Sequence, residues 1–308
     1  MTALMFAASN GHDLCACTLL KAGSNPNQAK NNGFTALMLA AQNGQDLCAR
    51  ALLKAGSDPN QANNEGVTAL IKAAEKGHDL CARALLEARA QVDKAVPDGR
   101  TALAMACMNG HEACALLLLS NDAEADKQTK FGDTALILAV QNGHEHVARA
   151  LIEAGSDPNK ANSTGHTALM LAAQNGHDLC THALLEAEAA VDQTEGDGWT
   201  ALMCAVLNAH NLCARALIDA GARLDIKNSS GDTALSLVQK GMAGAHLGIF
   251  CDRSGMQPIV GNRYTLNGED LCEAEFQKLS PQEQHHWACI PPLTPSNNLR
   301  AMAALLGS

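Results

Sequence analysis

The chain has few aromatic residues, which make up 3% of its 308 positions as five Phe, two Trp and one Tyr. A core must therefore be built mainly from Ala, Leu, Met and Cys. The chain also lacks a signal peptide and any apolar run long enough to cross a bilayer. Because it has twelve cysteines, these two absences favour a reducing compartment, the cytosol or the nucleus, where thiols stay free.

Positive charge is scarce as well, with 22 Lys and Arg against 32 Asp and Glu and a net charge of −10. Binding to nucleic acid without sequence preference needs cations that replace phosphate counterions, and adsorption to anionic membranes needs them too. We therefore expect neither a nucleic-acid nor a membrane partner, and we interpret the charge as a source of solubility. We expect the chain to be a monomer.

The most informative feature that is present is an internal repeat. The tripeptide Thr-Ala-Leu occurs eight times at intervals of 33 residues, starting at Thr2, Thr35, Thr68, Thr101, Thr134, Thr167, Thr200 and Thr233. A fixed period of this size is typical of stacked-repeat proteins, in which each copy buries its apolar face against its neighbours.

One copy, residues 165–193, shows the content of the repeat. Residues 168–175 predict a short apolar helix, which Gly176 ends through a left-handed backbone. Asp178 favours the start of a second helix. That helix carries apolar residues at helical spacing: Leu179, Cys180, Ala183, Leu184 and Leu185. In other copies the next loop reads Gly-Ser-Asp-Pro-Asn, a strong turn signal.

The repeat unit resembles the ankyrin repeat in its period, its helix–turn–helix order, its glycines and its Leu-Leu-x-x-Gly ending, as at Leu52 to Gly56. The resemblance implies a mainly α solenoid of about eight 33-residue units, which we place at residues 1–242. The family usually has Thr-Pro-Leu-His, but all eight copies have Ala for the Pro, and none has the His. Ala is a good helix former. We expect apolar contact to replace the His at Met5, Met38, Ile71, Ala104, Ile137, Met170, Met203 and Ser236.

Two other side chains recur at fixed places of the repeat. One recurring residue is a cysteine, which Val147 replaces in the fifth copy. The replacement indicates that these cysteines act as small apolar filler of the core. They are Cys15, Cys48, Cys81, Cys114, Cys180 and Cys213. Packed helices lie roughly 10 Å apart, too far for disulfides between neighbouring copies. The resemblance implies that the recurring histidines support the turn by hydrogen bonds rather than bind metal: His12, His78, His111, His144, His177 and His210, with Gln45 in the second copy.

Signatures of enzymes are missing, including the Gly-x-Ser-x-Gly elbow, the phosphate-binding loop and the kinase set. We expect a non-enzymatic protein without a cofactor, whose function lies where the copies differ. The resemblance implies that the variable places line a concave groove, at the hairpin tips and on the exposed side of the first helix. Aromatic residues and Arg are the usual anchors of interfaces. The alternative is that each ring packs on its neighbouring loop. The candidate partner-binding residues are Phe34, Arg100, Met108, Lys130, Phe131, His166, Trp199 and Leu207.

A different kind of sequence follows the repeats. Cys251-Asp252, Arg263-Tyr264 and Asp270-Leu271-Cys272 occur in this order, and they resemble the ZZ-type zinc finger. We place this small irregular module at 245–294 and a tail at 295–308.

The ZZ resemblance implies two zinc ions, but most of the ligands are absent. The four places of the first site hold Cys251, Ser254, Cys272 and Glu275, and the second site has lost more. Structural zinc sites use four Cys or His ligands. We therefore expect a metal-free module stabilised by aromatic packing, with Cys251 and Cys272 as the candidate ligands should one zinc be retained.

Three functional hypotheses remain open. The leading one is a non-enzymatic scaffold that binds a protein partner through the concave ankyrin surface. The alternative is a substrate-recruiting adaptor of ubiquitin or chromatin machinery, whose ZZ-like module reads a peptide terminus. The third is an enzyme or redox protein that uses Cys251 and Cys272.

Overall fold

The computed structural model describes residues 1–241 and, beyond them, five short strands between 245 and 290. Fifteen helices lie in the described part, two in each of the first seven copies and one in the eighth. The described part of the chain is therefore mainly α, as predicted from the repeat.

Each first helix begins directly after the Thr of Thr-Ala-Leu. Thr134 shows why, because its Oγ1 accepts a hydrogen bond from the backbone N of Ile137 at 3.2 Å and so satisfies a free amide at the helix start. The bond recurs in all eight copies at 3.1 to 3.3 Å. The first helices are α1 Ala3–Ser9, α3 Ala36–Gln42, α5 Ala69–Lys76, α7 Ala102–Met108, α9 Ala135–Gln141, α11 Ala168–Asn175, α13 Ala201–Leu207 and α15 Ala234–Gly241.

Each second helix begins after the recurring His, or after Gln45 in the second copy. The His78 side chain forms no capping bond to α6, but Asp79 in the first turn interacts favourably with the helix dipole. The second helices are α2 Asp13–Lys21, α4 Asp46–Lys54, α6 Asp79–Glu87, α8 Glu112–Leu119, α10 Glu145–Glu153, α12 Asp178–Glu186 and α14 Asn211–Asp219. The two helices predicted in the copy at 165–193 are confirmed, and Gly176 separates them with φ +73°.

The chain divides into two compact units. Unit 1 contains Met1–Ala172 and His182–Ala190, and unit 2 contains Ala173–Thr181 and the chain from Val191 onward. In unit 1 the first helices pack side by side in chain order from α1 to α9, and the second helices do so from α2 to α10. In unit 2, α13 packs against both α14 and α15.

The first helices supply most of the core. In α3, six of the seven residues are buried, all except Gln42. The fourth place of the Thr-Ala-Leu motif is buried in the first seven copies, where Met5 and Ile137, for example, are each 1% exposed. Apolar contact therefore replaces the family's histidine, as predicted. In the eighth copy Ser236 is half-buried and donates a hydrogen bond to Asp232 Oδ1 at 3.1 Å.

The recurring cysteines pack against the preceding copy. The Cys48 thiol lies 3.9 Å from the carbonyl oxygen of Ala7, and the Cys81 thiol lies 4.0 Å from that of Ala40. All recurring cysteines from Cys48 onward are buried, so the filler role is confirmed for them, and the nine cysteines within residues 1–241 are free thiols. For Cys15 the prediction was wrong, because it is exposed.

The apolar residues of α12 do not all face the core, and Leu179 is the clearest example. It is 59% exposed, whereas Cys180, Ala183 and Leu184 are buried. These three residues are three or four places apart and share one side of the helix. Leu179 directly precedes Cys180 and is rotated from it by about 100° around the helix axis, which turns it outward.

The strands after the repeats form two antiparallel sheets. Strand β1 (Ala245–His246) pairs with β2 (Ile259–Val260), and β3 (Arg263–Leu266) lies between β4 (Glu269–Cys272) and β5 (Ala288–Ile290). The pairing of β3 with β4 runs from Arg263 opposite Cys272 to Leu266 opposite Glu269. Most of the residues assigned to the ZZ-like module, and the whole tail, lie outside the described residues. Both domain limits therefore stay predictions.

Candidate protein-binding surface

A hairpin precedes the Thr of each copy from the second to the eighth, and we count it with that copy. In the fifth copy the backbone N of Thr129 donates to the carbonyl of Asp133 at 2.9 Å. The Thr129 Oγ1 accepts from the backbone N of Phe131 at 3.3 Å and from that of Asp133 at 3.1 Å. The backbone of the tip is therefore fixed by its own hydrogen bonds.

Backbone hydrogen bonds also join neighbouring hairpins. In unit 1 the N of Lys130 donates to the carbonyl of Asp98 at 2.7 Å, and the N of Ser163 donates to that of Phe131 at 2.9 Å. In unit 2 the N of Ser229 makes the equivalent bond to Asp197 at 2.8 Å. The fourth copy cannot donate this bond, because Pro97 stands at the donor place and has no N–H.

Phe131 is the most exposed large apolar side chain among the hairpins of the described residues, with 64% of its surface accessible. Its backbone N is held by Thr129, and its carbonyl accepts bonds from both the N and the Oγ of Ser163. The next residue, Gly132, has φ +78°, and a Cβ there would lie 2.5 Å from the Ser163 N. The ring is therefore exposed on a rigid tip.

Arg100 lies on the adjoining hairpin and is bound to Asp98. Its Nε and Nη2 lie 2.8 and 2.7 Å from Asp98 Oδ2. This hydrogen bond is the main reason that the pKa of Asp98 is lowered and the pKa of Arg100 is raised. The charge of Glu75 raises the pKa of Arg100 further. Arg100 is therefore partly neutralised, whereas Lys130 on the next hairpin is exposed.

Three other candidates of unit 1 are half-buried. Phe34 and His166 precede the Thr of their copies, and Met108 ends α7. The Nδ1 of His166 lies 3.0 Å from the hydroxyl of Thr164. The structure thus joins the hairpins that carry Arg100, Lys130, Phe131 and His166, and it places Phe34 two copies before Arg100.

The remaining two candidates belong to unit 2. Trp199 is half-buried, and its backbone N donates to Glu195 Oε1 at 3.1 Å. Leu207 ends α13 and is 57% exposed. Trp199 and Leu207 form a separate candidate contact within unit 2.

Sequence reasoning missed a charged cluster on α5. Lys72 and Lys76 hold Glu75 between them, at 2.8 and 3.0 Å. Partial burial acts to raise the pKa of Glu75, but the bonds and charges of the two lysines outweigh it and lower that pKa. The signal was present in the sequence, because most other copies have an apolar residue at the place of Lys72.

The predicted support of the turn by the recurring histidines is confirmed for His111 and His144. The Nε2 atoms of His111 and His144 lie 3.1 and 3.2 Å from the carbonyls of Glu75 and Met108 in the preceding copies. A Cβ at Gly77 would lie 2.6 Å from His111 Nδ1, so the ring needs a glycine there. Within the described part of the chain, no group of three or more His, Cys, Asp or Glu side chains could hold a metal ion.

The candidate zinc ligands remain untested. Cys251 lies outside the described residues, and Cys272 is the last residue of β4, where its backbone pairs with Arg263. None of the helices in the described part is long and apolar enough to cross a membrane.

Comparison with known proteins identifies the repeat. The sequence matches the family model described as "Ankyrin repeats (3 copies)" over residues 1–63, 48–129, 117–195, 151–228 and 180–241, more than half of the chain. The chain belongs to the ankyrin-repeat family. Its family assignment confirms the fold class predicted from the period.

A solved ankyrin structure resembles the fold as well. The crystal structure of the human ASB11 ankyrin repeat domain has a TM-score of 0.64 and 25% sequence identity, over 72% of this chain and 99% of that chain. No curated protein matches this chain. The ankyrin repeats indicate a protein–protein interaction scaffold.

Proposed function

We propose that this chain binds a protein partner through its hairpin tips and first helices, with Phe131 as the main anchor in unit 1. One observation carries the proposal: the Phe131 ring is 64% exposed although its backbone is hydrogen-bonded at both N and O. A tip that is already ordered loses little conformational entropy on binding. Aromatic side chains in such positions often supply most of the binding energy of an interface.

The neighbouring side chains extend this anchor. Lys130 adds an exposed cation next to the ring, Arg100 lies on the adjoining hairpin, and Met108 and His166 add half-buried surface. We propose Phe34, three copies before Phe131, as a further contact. In unit 2 we propose Trp199 and Leu207 as a second contact.

The test compares partner capture by the full chain and its variants. We expect Phe131→Ala to reduce recovery of the partner by about tenfold, the loss typical of an aromatic anchor, and the double change with Trp199→Ala to reduce it further. Leu212→Ala is the matched control, because Leu212 is 68% exposed but lies on the second helix α14. The readout is the amount of the same protein band captured from native lysate, identified by mass spectrometry.

Two outcomes would contradict the proposal. Equal recovery by the Phe131→Ala variant and the Leu212→Ala control would show that the ring is not an anchor. A fall of several degrees in the melting temperature of the Phe131→Ala variant would show that the ring stabilises the fold instead.

The more specific alternative stays a prediction. We propose the adaptor role in ubiquitin or chromatin machinery only for residues 245–294, on the basis of the ZZ resemblance, and no described side chain favours it. Metal analysis of the purified full chain addresses it directly, because a peptide-reading zinc module would contain zinc in a stoichiometric amount.

A further inference from the structure

The second helices of unit 1 carry ion pairs between neighbouring copies. Arg50 Nη1 lies 3.0 Å from Glu87 Oε2, and Arg149 Nη1 lies 2.6 Å from Glu186 Oε2. In both pairs the Arg is 15 residues after its Thr and the Glu is 19 residues after the next Thr. The stacking therefore brings place 15 of one copy beside place 19 of the following copy.

The fourth copy interrupts these pairs, because it has Leu116 at place 15 and Ser120 at place 19. By the same geometry, Arg83 faces Ser120, and Glu153 faces Leu116. Both charged side chains are exposed, and neither forms an ion pair or hydrogen bond within the described residues. The interruption leaves one unpaired cation before α8 and one unpaired anion after it.

The same place exposes apolar surface. Leu116 is 47% exposed, and Ala113, one turn earlier on α8, is exposed as well. On the neighbouring α6, Leu80 is 52% exposed. The opposite side of α8 buries Leu117 and Leu118, so this helix is apolar on both sides. Helices of this kind are usually covered on both sides.

In place of the monomer expected from the sequence, we propose that α6, α8 and α10 form the interface of a homodimer, in which two copies of α8 pack antiparallel. A twofold axis between Leu116 and Ser120 exchanges the third and fifth copies across the interface. It brings Arg83 of one chain opposite Glu153 of the other, and it does so twice. It also brings Glu87 opposite the partner's Arg149, so the surface is complementary to itself, as a twofold interface requires.

The order of charges identifies a second copy as the occupant. Along the array the surface has an unpaired cation, Arg83, then an apolar centre at Leu116, and then an unpaired anion, Glu153. A second chain rotated by half a turn presents these parts in the reverse order, so each charge faces its opposite. The net charge of −10 opposes self-association, so the pairing has to be local. Three short helices from each chain make a small interface, so we expect a weak dimer that salt weakens further.

Sedimentation velocity of the full chain across a concentration series tests this inference. We expect dimer to be present at about 100 µM wild-type protein and to decrease with added salt. Arg83→Glu and Glu153→Arg should each raise the dissociation constant by about tenfold or more, since each places like charges opposite each other. A mixture of these two variants should form a heterodimer, because every charge then faces its opposite.

The controls separate this interface from general charge effects. Arg215→Glu makes the same change at the same place of the seventh copy and should leave association unchanged. Leu116→Ser should weaken the dimer without changing the circular dichroism spectrum, because Leu116 is already half exposed. A monomer at every concentration would overturn the inference, and so would mixed charge variants that fail to associate.

Discussion

The two rows of helices use the same repeat in different ways. A first helix such as α3 buries six of its seven residues and has a threonine cap. A second helix such as α4 buries three of nine, begins without a side-chain cap and exposes 60% of Leu47. The difference indicates that the first helices fix the stack, whereas the outer side of the second helices is free to carry charge or binding surface.

The largest expected difference between the rows is in stability. Leu103 of α7 is 1% exposed, and Leu80 of α6 is 52% exposed. Leu103→Ala should lower the free energy of unfolding by about 2–5 kcal/mol, because it leaves a cavity. Leu80→Ala should lower it by less than about 0.5 kcal/mol, as for other surface changes. Urea unfolding followed by circular dichroism measures both, and equal costs would remove the distinction between the rows.

The next effect concerns thiols on the inner side of the second helices. Burial raises the pKa of Cys114 to about 11 from the ordinary 9.0, which lowers its thiolate fraction about 100-fold. Exposed Cys15 should therefore react with a thiol reagent at pH 8 at least about 100 times faster than Cys114. Mass spectrometry of labelled peptides gives both rates, and similar rates would show that the core opens readily.

The same pKa shift predicts how stability depends on pH. In the unfolded chain the Cys114 thiol ionises near pH 9, while in the folded chain it stays protonated to about pH 11. Its contribution is therefore fully present below about pH 9 and is lost as the pH rises towards 11. Cys114→Val, which copies Val147 of the fifth repeat, is the matched control and should reduce this loss.

The smallest effect is that of the threonine cap. Thr134→Ala removes the acceptor for the Ile137 amide and should cost about 1 kcal/mol, the typical value for an N-cap. Thr134→Ser keeps the hydroxyl and should recover most of that loss. The midpoint of thermal unfolding distinguishes the two variants, and an equal fall for both would mean that the methyl group of Thr134 matters more than its hydrogen bond.

The fold of the repeats was predictable because each copy repeats the same local signals. The turn glycine and the apolar spacing predicted α11 with its observed bounds and the start of α12 at Asp178. The apolar spacing predicted α12 but not which of its apolar residues face outward, as Leu179 does. The exposure of Cys15 was missed because periodicity predicts the same role for every copy.

The candidate binding surface was only partly predictable from the sequence. Variation between copies pointed to the tip that carries Phe131, but not to the backbone bonds that fix it. The bond between Arg100 and Asp98 and the lysines around Glu75 depend on side-chain conformations that a list of variable places does not contain. The pairing between places 15 and 19 also required the stacking geometry, because its residues are 37 positions apart.

The proline at position 97 has a consequence for cooperativity. In a linear array, total stability is a sum of terms within each copy and coupling terms between adjacent copies. Without the hairpin bond that an N–H at Pro97 would donate, the coupling between the third and fourth copies depends on the contacts of α5 with α7 and of α6 with α8 and on the bond of His111 to the carbonyl of Glu75. Partial unfolding would therefore tend to stop at this joint, which makes it a natural boundary between two cooperative segments of unit 1.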